Sequence, residues 1–307
     1  MKAVFIDANG SLADVARRLH QPDDIALLVN EQPDITPEQV PCVMGDAEIL
    51  IVDHTSVPVE IAKQCKGLKH IVFLGTGARS YMNPEALAEI GIEVHIIKGY
   101  GDTAVAECAF ALMWASAKGF ARMDRGMRAG QWLRTDGIEL TGKTLGLIGF
   151  GGIAAEMARL ALGAGMNVIA YNRSPKTHAG VRFADLDTVL ASSHVLSVHL
   201  LLNDDTRGFI SAERIAKMRD GVILVNTARG AVMNEQALIA GLASKKIGHA
   251  GLDVFDIEPL PADHAFTKIE NVTLSAHSAF RTPEASDNLI QASLNHCRRI
   301  SGQGQQR

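Results

Sequence analysis

The chain has 307 residues, 47% of them apolar, with 28 glycines and a formal net charge of −4 at neutral pH. That length exceeds one small domain and supports a sizeable core, so two domains are expected. The mild acidity gives no general attraction for nucleic acid or anionic lipid and leaves a small molecule as the expected partner. The four cysteines, Cys42, Cys65, Cys108 and Cys297, stand far apart with no C-x-x-C pair. They resemble neither a disulfide framework nor a zinc site, so four buried thiols in a reducing compartment and no metal are expected. The opening "MKAVFIDANG" has its apolar run broken at Asp7, and no stretch of about 18 uncharged apolar residues occurs. Neither signal peptide nor membrane span is therefore expected, and the chain reads as cytoplasmic.

In chain order, short β-rich runs come first: "AVFID" at 3, "ALLV" at 26, "ILIVD" at 49, "HIVFLG" at 70 and "VHIIK" at 94. Helical patterns separate them, which is the alternation of a parallel sheet covered by helices. One long helix is expected over "TAVAECAFALMWASAKGFARM", with Val105, Phe110, Met113, Trp114 and Phe120 toward a core. A second strand series follows: "TLGLIGF" at 144, "NVIAYN" at 167, "HVLSVHL" at 194, "GVILVNT" at 221, "AGLDVF" at 250 and "VTLSAH" at 272. Two series imply an α/β protein of two doubly wound parallel-sheet domains, 1–98 and 99–280. A last helical pattern within 281–307, with Thr282 as N-cap before Pro283 and Glu284, is expected to return to the first domain. The Gly/Gln-rich end after Ile300 is expected to fray.

The second series opens with strand, glycine turn, helix and strand, carrying Gly149, Phe150, Gly151, Gly152, Ile153 and Ala154 at the turn. The first glycine permits the tight turn, the second lets backbone N–H groups approach a pyrophosphate, and the small third residue lets helix pack on strand. Eighteen residues past Ala154 stands Asn172, where an acid would hold an NAD ribose, and no Asp or Glu occurs from Met157 to Ala184. Asn172, Arg173 and Ser174 suit a ribose 2′-phosphate, so NADP is preferred and NAD remains possible. Three further residues sit just past strands of the second series: Arg229 in "VNTARGAV", Glu258 in "GLDVFDIEPL" and His277 in "LSAHSAF". In an open α/β sheet, ligands bind outside the carboxyl ends of the strands, which puts all three on the cofactor side.

With the glycine turn, these pieces closely resemble the D-isomer-specific 2-hydroxyacid dehydrogenases over about residues 49 to 285. The matching pieces include "LGTG" at 74, "AVAE" at 104, "ELTGKTLGLIGFGGIA" at 139, "HLLLNDDTRGFI" at 199, "VNTARGAVMNEQAL" at 225 and "AGLDVFDIEPL" at 250. The resemblance implies a flavodoxin-like substrate domain beside a Rossmann nucleotide-binding domain, with Arg229, Glu258 and His277 as the catalytic set. His277 would exchange a proton with the substrate oxygen. Glu258 would hold its other ring nitrogen. Arg229 would bind the carboxylate through its planar fork. The glycine loop Gly75, Thr76 and Gly77 would donate backbone N–H groups to the same carboxylate, and His54 stands in the matching stretch after the third strand. Val105, His199, Leu200, Thr206, Thr227 and Ala228 would line the cofactor, and Asp253 would hold the nicotinamide carboxamide. The family also implies a homodimer through the nucleotide domain. The substrate expected is a small 2-keto acid such as glyoxylate or hydroxypyruvate. A phosphoglycerate dehydrogenase-like enzyme using NAD is an alternative, weakened because "VDHTSV" lacks the arginine-rich piece, with Arg79, which stands with Ser80 where many relatives have an Asp-Asn pair, able to replace it in part. A non-catalytic NAD(P)-sensing protein is the alternative of another class.

Overall fold

The structure, a computed structural model, describes residues 1–8, 10–22, 24–32 and 34–302. The chain divides into two compact units, Met1–Gly101 with Thr282–Arg307, and Asp102–Arg281. Relative to the expected boundary after Lys98, the second unit begins with its first helix at Asp102.

In the first unit, strands β1 (Lys2–Phe5), β2 (Ala26–Val29), β3 (Ile49–Val52), β4 (His70–Phe73) and β5 (Glu93–Ile96) alternate with helices α1 (Gly10–Leu19), α2 (Val40–Met44), α3 (Val59–Ala62) and α4 (Pro84–Glu89). All pairings are parallel, in the order β2-β1-β3-β4-β5, the flavodoxin-like arrangement. β3 is buried at all four positions because helices cover both faces of the sheet, which is why it reads as an unbroken apolar run. The last helix, Pro283–Ile300 (α11 in chain order), belongs to this unit. Thr282 caps it by accepting the Ala285 N–H at 3.1 Å. Its Leu289, Ile290, Leu294 and Cys297 share a core with Phe5, Leu12 and Ile49. Against the expectation of four buried thiols, only Cys65 and Cys297 are buried, while Cys42 is exposed and Cys108 half-buried. Burial of such side chains contributes about 1.5–3 kcal/mol each. Arg298 donates to the Asp24 carboxylate from both Nε and Nη2. Of the tail after Ile300, residues 303–307 lie outside the described residues.

The second unit opens with α5 (Asp102–Lys118) and α6 (Phe120–Arg128). These are two helices where one was expected, because Gly119 sits in the left-handed region at φ 66° and ends the first. Met113 is fully buried, Val105, Phe110 and Trp114 are half-buried, and Phe120 is 56% exposed, contrary to the expected core role. The buried stripe of α5 is built instead from Ala106, Ala109 and Ala117 with Leu112 and Met113, small residues that allow close approach to Ala154, Ala158 and Ala161. Strands β6 (Thr144–Ile148), β7 (Asn167–Tyr171), β8 (Val181–Phe183), β9 (Val195–Val198), β10 (Val222–Asn226), β11 (Ile247–Leu252) and β12 (Val272–Leu274) form one parallel sheet, order β12-β11-β10-β9-β6-β7-β8. Helices α7 (Gly152–Gly163), α8 (Leu186–Ser192), α9 (Ala212–Lys217) and α10 (Glu235–Ala243) connect them. Renumbered from β6, this is the Rossmann order with one strand added at the end. β8 escaped the sequence reading because it has three residues, lies at the sheet edge and carries the exposed Arg182. Among the described residues no helix is long and apolar enough to cross a membrane.

Candidate active site

Strand β6 lies between β7 and β9, so the chain leaves it at the switch point of the sheet, the place beyond the carboxyl ends where open α/β sheets bind ligands. Gly149 turns the chain there at φ 87°, and a Cβ on it would lie 2.5 Å from the His199 carbonyl oxygen. No side chain with a Cβ fits that approach. Gly151 caps α7 without any side-chain bond to its first amides, and nothing stands within 4 Å of where its Cβ would be. Amides without a side-chain cap at a helix N-terminus fit an anion such as a pyrophosphate, and Gly152, the first residue of α7, lies against the Asp102 carboxylate. Ala154 is fully buried, as close packing of α7 on the sheet requires.

The segment after β7 braces this turn. Asn172 Oδ1 accepts the Phe150 N–H at 3.1 Å, and its Nδ2 donates to the Ser174 carbonyl at 2.8 Å. Lys176 donates to the Phe150 carbonyl at 2.7 Å. Arg173 and Ser174 are exposed, and the Arg173 guanidinium lies 3.6 Å from Asp205 in a solvent-facing pair. Such a pair is worth at most about 1 kcal/mol and leaves the guanidinium available to an incoming anion.

β9, β10 and β11 bring further residues to the same edge. His199 Nε2 and Thr227 Oγ1 are buried without a hydrogen-bond partner, the kind of orphaned polar atoms that a bound polar ligand satisfies. Glycine-turn amides without a side-chain cap, together with these unpartnered atoms, make the edge a fit for the dinucleotide the motif implies. Leu200 is half-buried beside His199, and Ala228 beside Thr227. Thr206 is held in its own turn, accepting from the Asn203 N–H at 2.8 Å and donating to the Leu201 carbonyl. Val105 is half-buried in the first turns of α5.

Burial lowers the His199 pKa from 6.5 to about 4. The unfolded chain therefore takes up a proton as pH falls through 6.5 that the folded chain refuses until about 4. Stability from this group is present above the unfolded value and is lost between the two, by at most about 3 kcal/mol. His199→Asn is expected to flatten the pH slope of urea-unfolding free energy in that window by up to about 1.4 kcal/mol per pH unit. An unchanged slope would mean that His199 protonates freely in the folded protein.

At the other end of the edge, His277 Nδ1 lies 2.6 Å from Glu258 Oε2, and Glu258 Oε1 accepts the Phe255 N–H at 2.8 Å. Both glutamate oxygens are thus fixed, and the imidazole is left with Nε2 for exchange with a ligand. His277 has φ 46°, an uncommon conformation for a side-chain-bearing residue. Asp253 imposes it. The Asp253 carbonyl accepts the His277 N–H at 2.7 Å. Its fully buried carboxylate accepts from Ser275 Oγ at 2.6 Å, Ser278 N at 3.1 Å and Ala279 N at 3.0 Å. The carboxylate expected to meet the nicotinamide carboxamide is occupied, in this structure, with holding the histidine loop.

Arg229 follows β10 in a turn clamped by the buried Asn226, whose Oδ1 accepts the Ala228 N–H and whose Nδ2 donates to the Arg229 carbonyl, both at 2.9 Å. The guanidinium donates to the Ala228 carbonyl at 2.6 Å. The next residue, Gly230, is pressed against the Phe255–Asp256 peptide, which leads to Glu258. Neither Asn226 nor Gly230 was singled out by sequence reasoning. The polar end of the otherwise apolar "VILVN" strand was the available signal.

In the first unit, His54 and the Gly75–Gly77 loop follow β3 and β4 at the carboxyl edge of the five-stranded sheet. Asp7, fully buried after β1, accepts from Asp53 N, His54 N and Thr55 N at 2.9, 2.8 and 2.7 Å and so shapes the loop that carries His54. His54 Nδ1 lies 3.2 Å from Asp53. Thr76 is exposed and Gly75 buried. Arg79 is paired with Glu85, 2.8 Å from Nη1 to Oε2.

A sheet of Rossmann order whose edge carries a glutamate-braced histidine fits a pyridine-nucleotide oxidoreductase. Residues 110–279 match the D-isomer specific 2-hydroxyacid dehydrogenase, NAD binding domain, family. The chain belongs to the D-isomer-specific 2-hydroxyacid dehydrogenases. It is 40% identical over 272 residues to a hydroxypyruvate reductase of Thermotoga maritima, covering 84% of this chain and 88% of that protein. It is 37% identical over 247 residues to a D-3-phosphoglycerate dehydrogenase of Archaeoglobus fulgidus, covering 78% of this chain and 47% of that protein. Among solved structures, D-lactate dehydrogenase of Escherichia coli superposes with a TM-score of 0.86 at 27% identity, covering 98% of each chain.

Proposed function

We propose that the protein reduces a small 2-keto acid, glyoxylate or hydroxypyruvate, to the D-2-hydroxy acid with NADPH as the preferred reductant. The observation that carries this reading is the Glu258-braced His277 with Nε2 as its exchangeable nitrogen. The glycine turn at 149–152 with His199 and Thr227 would hold the nicotinamide dinucleotide, which would supply the hydride for the keto carbon. His277, as imidazolium, delivers the proton to the keto oxygen, so that C=O becomes CH–OH, and recovers a proton from solvent. Glu258 keeps the ring in the Nδ1–H tautomer after that proton leaves. Arg229 turns its guanidinium from the Ala228 carbonyl to the substrate carboxylate. In the first unit, the Gly75–Gly77 amides are the further carboxylate donors of this reading, and His54 is its substrate-side residue.

The 2-keto acid class is supported by the name of the 40% identical relative. Against a phosphorylated substrate stand the absent arginine after β3 and the pairing of Arg79 with Glu85. NADPH is preferred because Arg173 and Ser174 are exposed beside the cofactor turn with no acid from Met157 to Ala184. A homodimer through the second unit is supported by the exposed Phe120, Met127 and Trp132, at 56%, 51% and 76%.

Initial rates of glyoxylate and hydroxypyruvate reduction at pH 7, with NADPH and NADH titrated separately, test both parts. NADPH is expected to serve better, and Arg173→Ala to raise its KM roughly tenfold while leaving the NADH KM unchanged. Equal use of NADH would overturn the 2′-phosphate reading. Binding of either nucleotide without any turnover would favour a sensor.

A further inference from the structure

We propose that His70, Glu93 and His95 hold a divalent transition-metal ion of the zinc class, at the end of the first unit opposite the Gly75–Gly77 loop. The backbone assembles this group. β4 and β5 pair in parallel with His70 opposite Glu93 and Val72 opposite His95. Side chains two apart on a strand share a face, so the register sets His70, Glu93 and His95 together on one side of the sheet. Two of the three begin their strands, which puts them at the amino edge, away from the carboxyl edge where the glycine loop lies.

The spacing is that of metal ligands. His95 Nε2 and His70 Nδ1 are hydrogen-bonded at 3.3 Å, which turns the two ring nitrogens toward one another. Two nitrogens on one tetrahedral zinc, each at about 2.0–2.1 Å, stand about 3.3–3.4 Å apart. Glu93 Oε2 lies 3.6 Å from the first nitrogen and 3.7 Å from the second. Those distances are too long for a hydrogen bond to either ring, yet nearly equal, as a third ligand about a shared centre would be. Two imidazoles and one carboxylate suit Zn²⁺ and its neighbours in the first row. A fourth position is left for water or for His296 of α11, whose ring centroid is 5.7 Å from that of His95.

Arg299 acts on His95 and His296 as a positive charge, and the Glu93 carboxylate offsets it at His95. Because β5 is an edge strand, an ion here ties the margin of the sheet together.

The test uses the full chain, stripped with a chelator and titrated with ZnCl₂ by calorimetry and with CoCl₂ by visible absorption. One equivalent of zinc and the strong visible bands of tetrahedral cobalt are expected. His95→Ala should abolish both. Glu93→Gln, on a side chain 69% exposed, should leave the fold intact by circular dichroism and weaken binding about tenfold or more. Zinc binding that is absent from wild type, or of equal affinity in Glu93→Gln, would overturn the site. A weak octahedral cobalt spectrum would do the same.

Discussion

His277→Ala is expected to lower kcat for 2-keto acid reduction by roughly a hundredfold to ten-thousandfold, with nucleotide binding preserved. The direction follows from what the side chain touches. Nδ1 is committed to Glu258 at 2.6 Å, so Nε2 is the group able to meet a carbonyl oxygen, and alanine removes it. The glycine turn and the His199–Thr227 edge stand on other strands and do not depend on the imidazole. Glu258→Gln should cost less than His277→Ala but still reduce kcat, since an amide there permits the wrong tautomer. Stopped-flow nucleotide binding together with steady-state kcat separates the two roles. An alanine variant with wild-type turnover would remove His277 from the chemistry, whereas one that fails to bind nucleotide would mean that the loop is needed for the cofactor.

Gly230→Ala is expected to damage both stability and turnover. The added methyl carbon would lie 1.9 Å from the Phe255 carbonyl carbon, 2.2 Å from its oxygen and 2.4 Å from the Asp256 nitrogen. All three are backbone atoms, so no rotamer change relieves the clash, and the turn bearing Arg229 must move from the loop bearing Glu258 by an ångström or more. Overpacking of this kind costs about 1–3 kcal/mol or more. A displacement of about 1 Å at a catalytic group lowers turnover by about a hundredfold. Urea unfolding and kcat/KM for the purified variant measure the two effects. Wild-type values in both would show that the contact has slack and that Gly230 does not set the spacing between the two loops.

The sequence carried the two strand series because parallel strands covered on both faces must be continuously apolar, as "ILIV" and "VILVN" are. It also carried the glycine turn, since only a few residue types satisfy the backbone there. What it hid has physical reasons. The helix break at Gly119 looks, in sequence, like one tolerated glycine in a helical run. β8 makes too little core to leave an apolar pattern. The tasks of Asp7, Asn226 and Asp253 are invisible because a buried polar residue declares itself only through long-range partners, such as the Asp7 contacts with residues 53–55. His277 and Glu258 were legible as residues, yet the left-handed backbone of His277 and the four bonds by which Asp253 enforces it appear only in three dimensions.

Asn172 and Lys176 tether both the amide and the carbonyl of Phe150, so the segment proposed to meet the adenosine end and the turn proposed to meet the phosphates form one mechanical piece. For a protein engineer this couples two traits. Exchanging Asn172 for an aspartate, to favour a ribose hydroxyl, keeps an acceptor for Phe150 but removes the donor that pins the Ser174 carbonyl. Reversal of nucleotide preference therefore needs a compensating change within 174–176, and lineages that switched would be expected to carry the two replacements together.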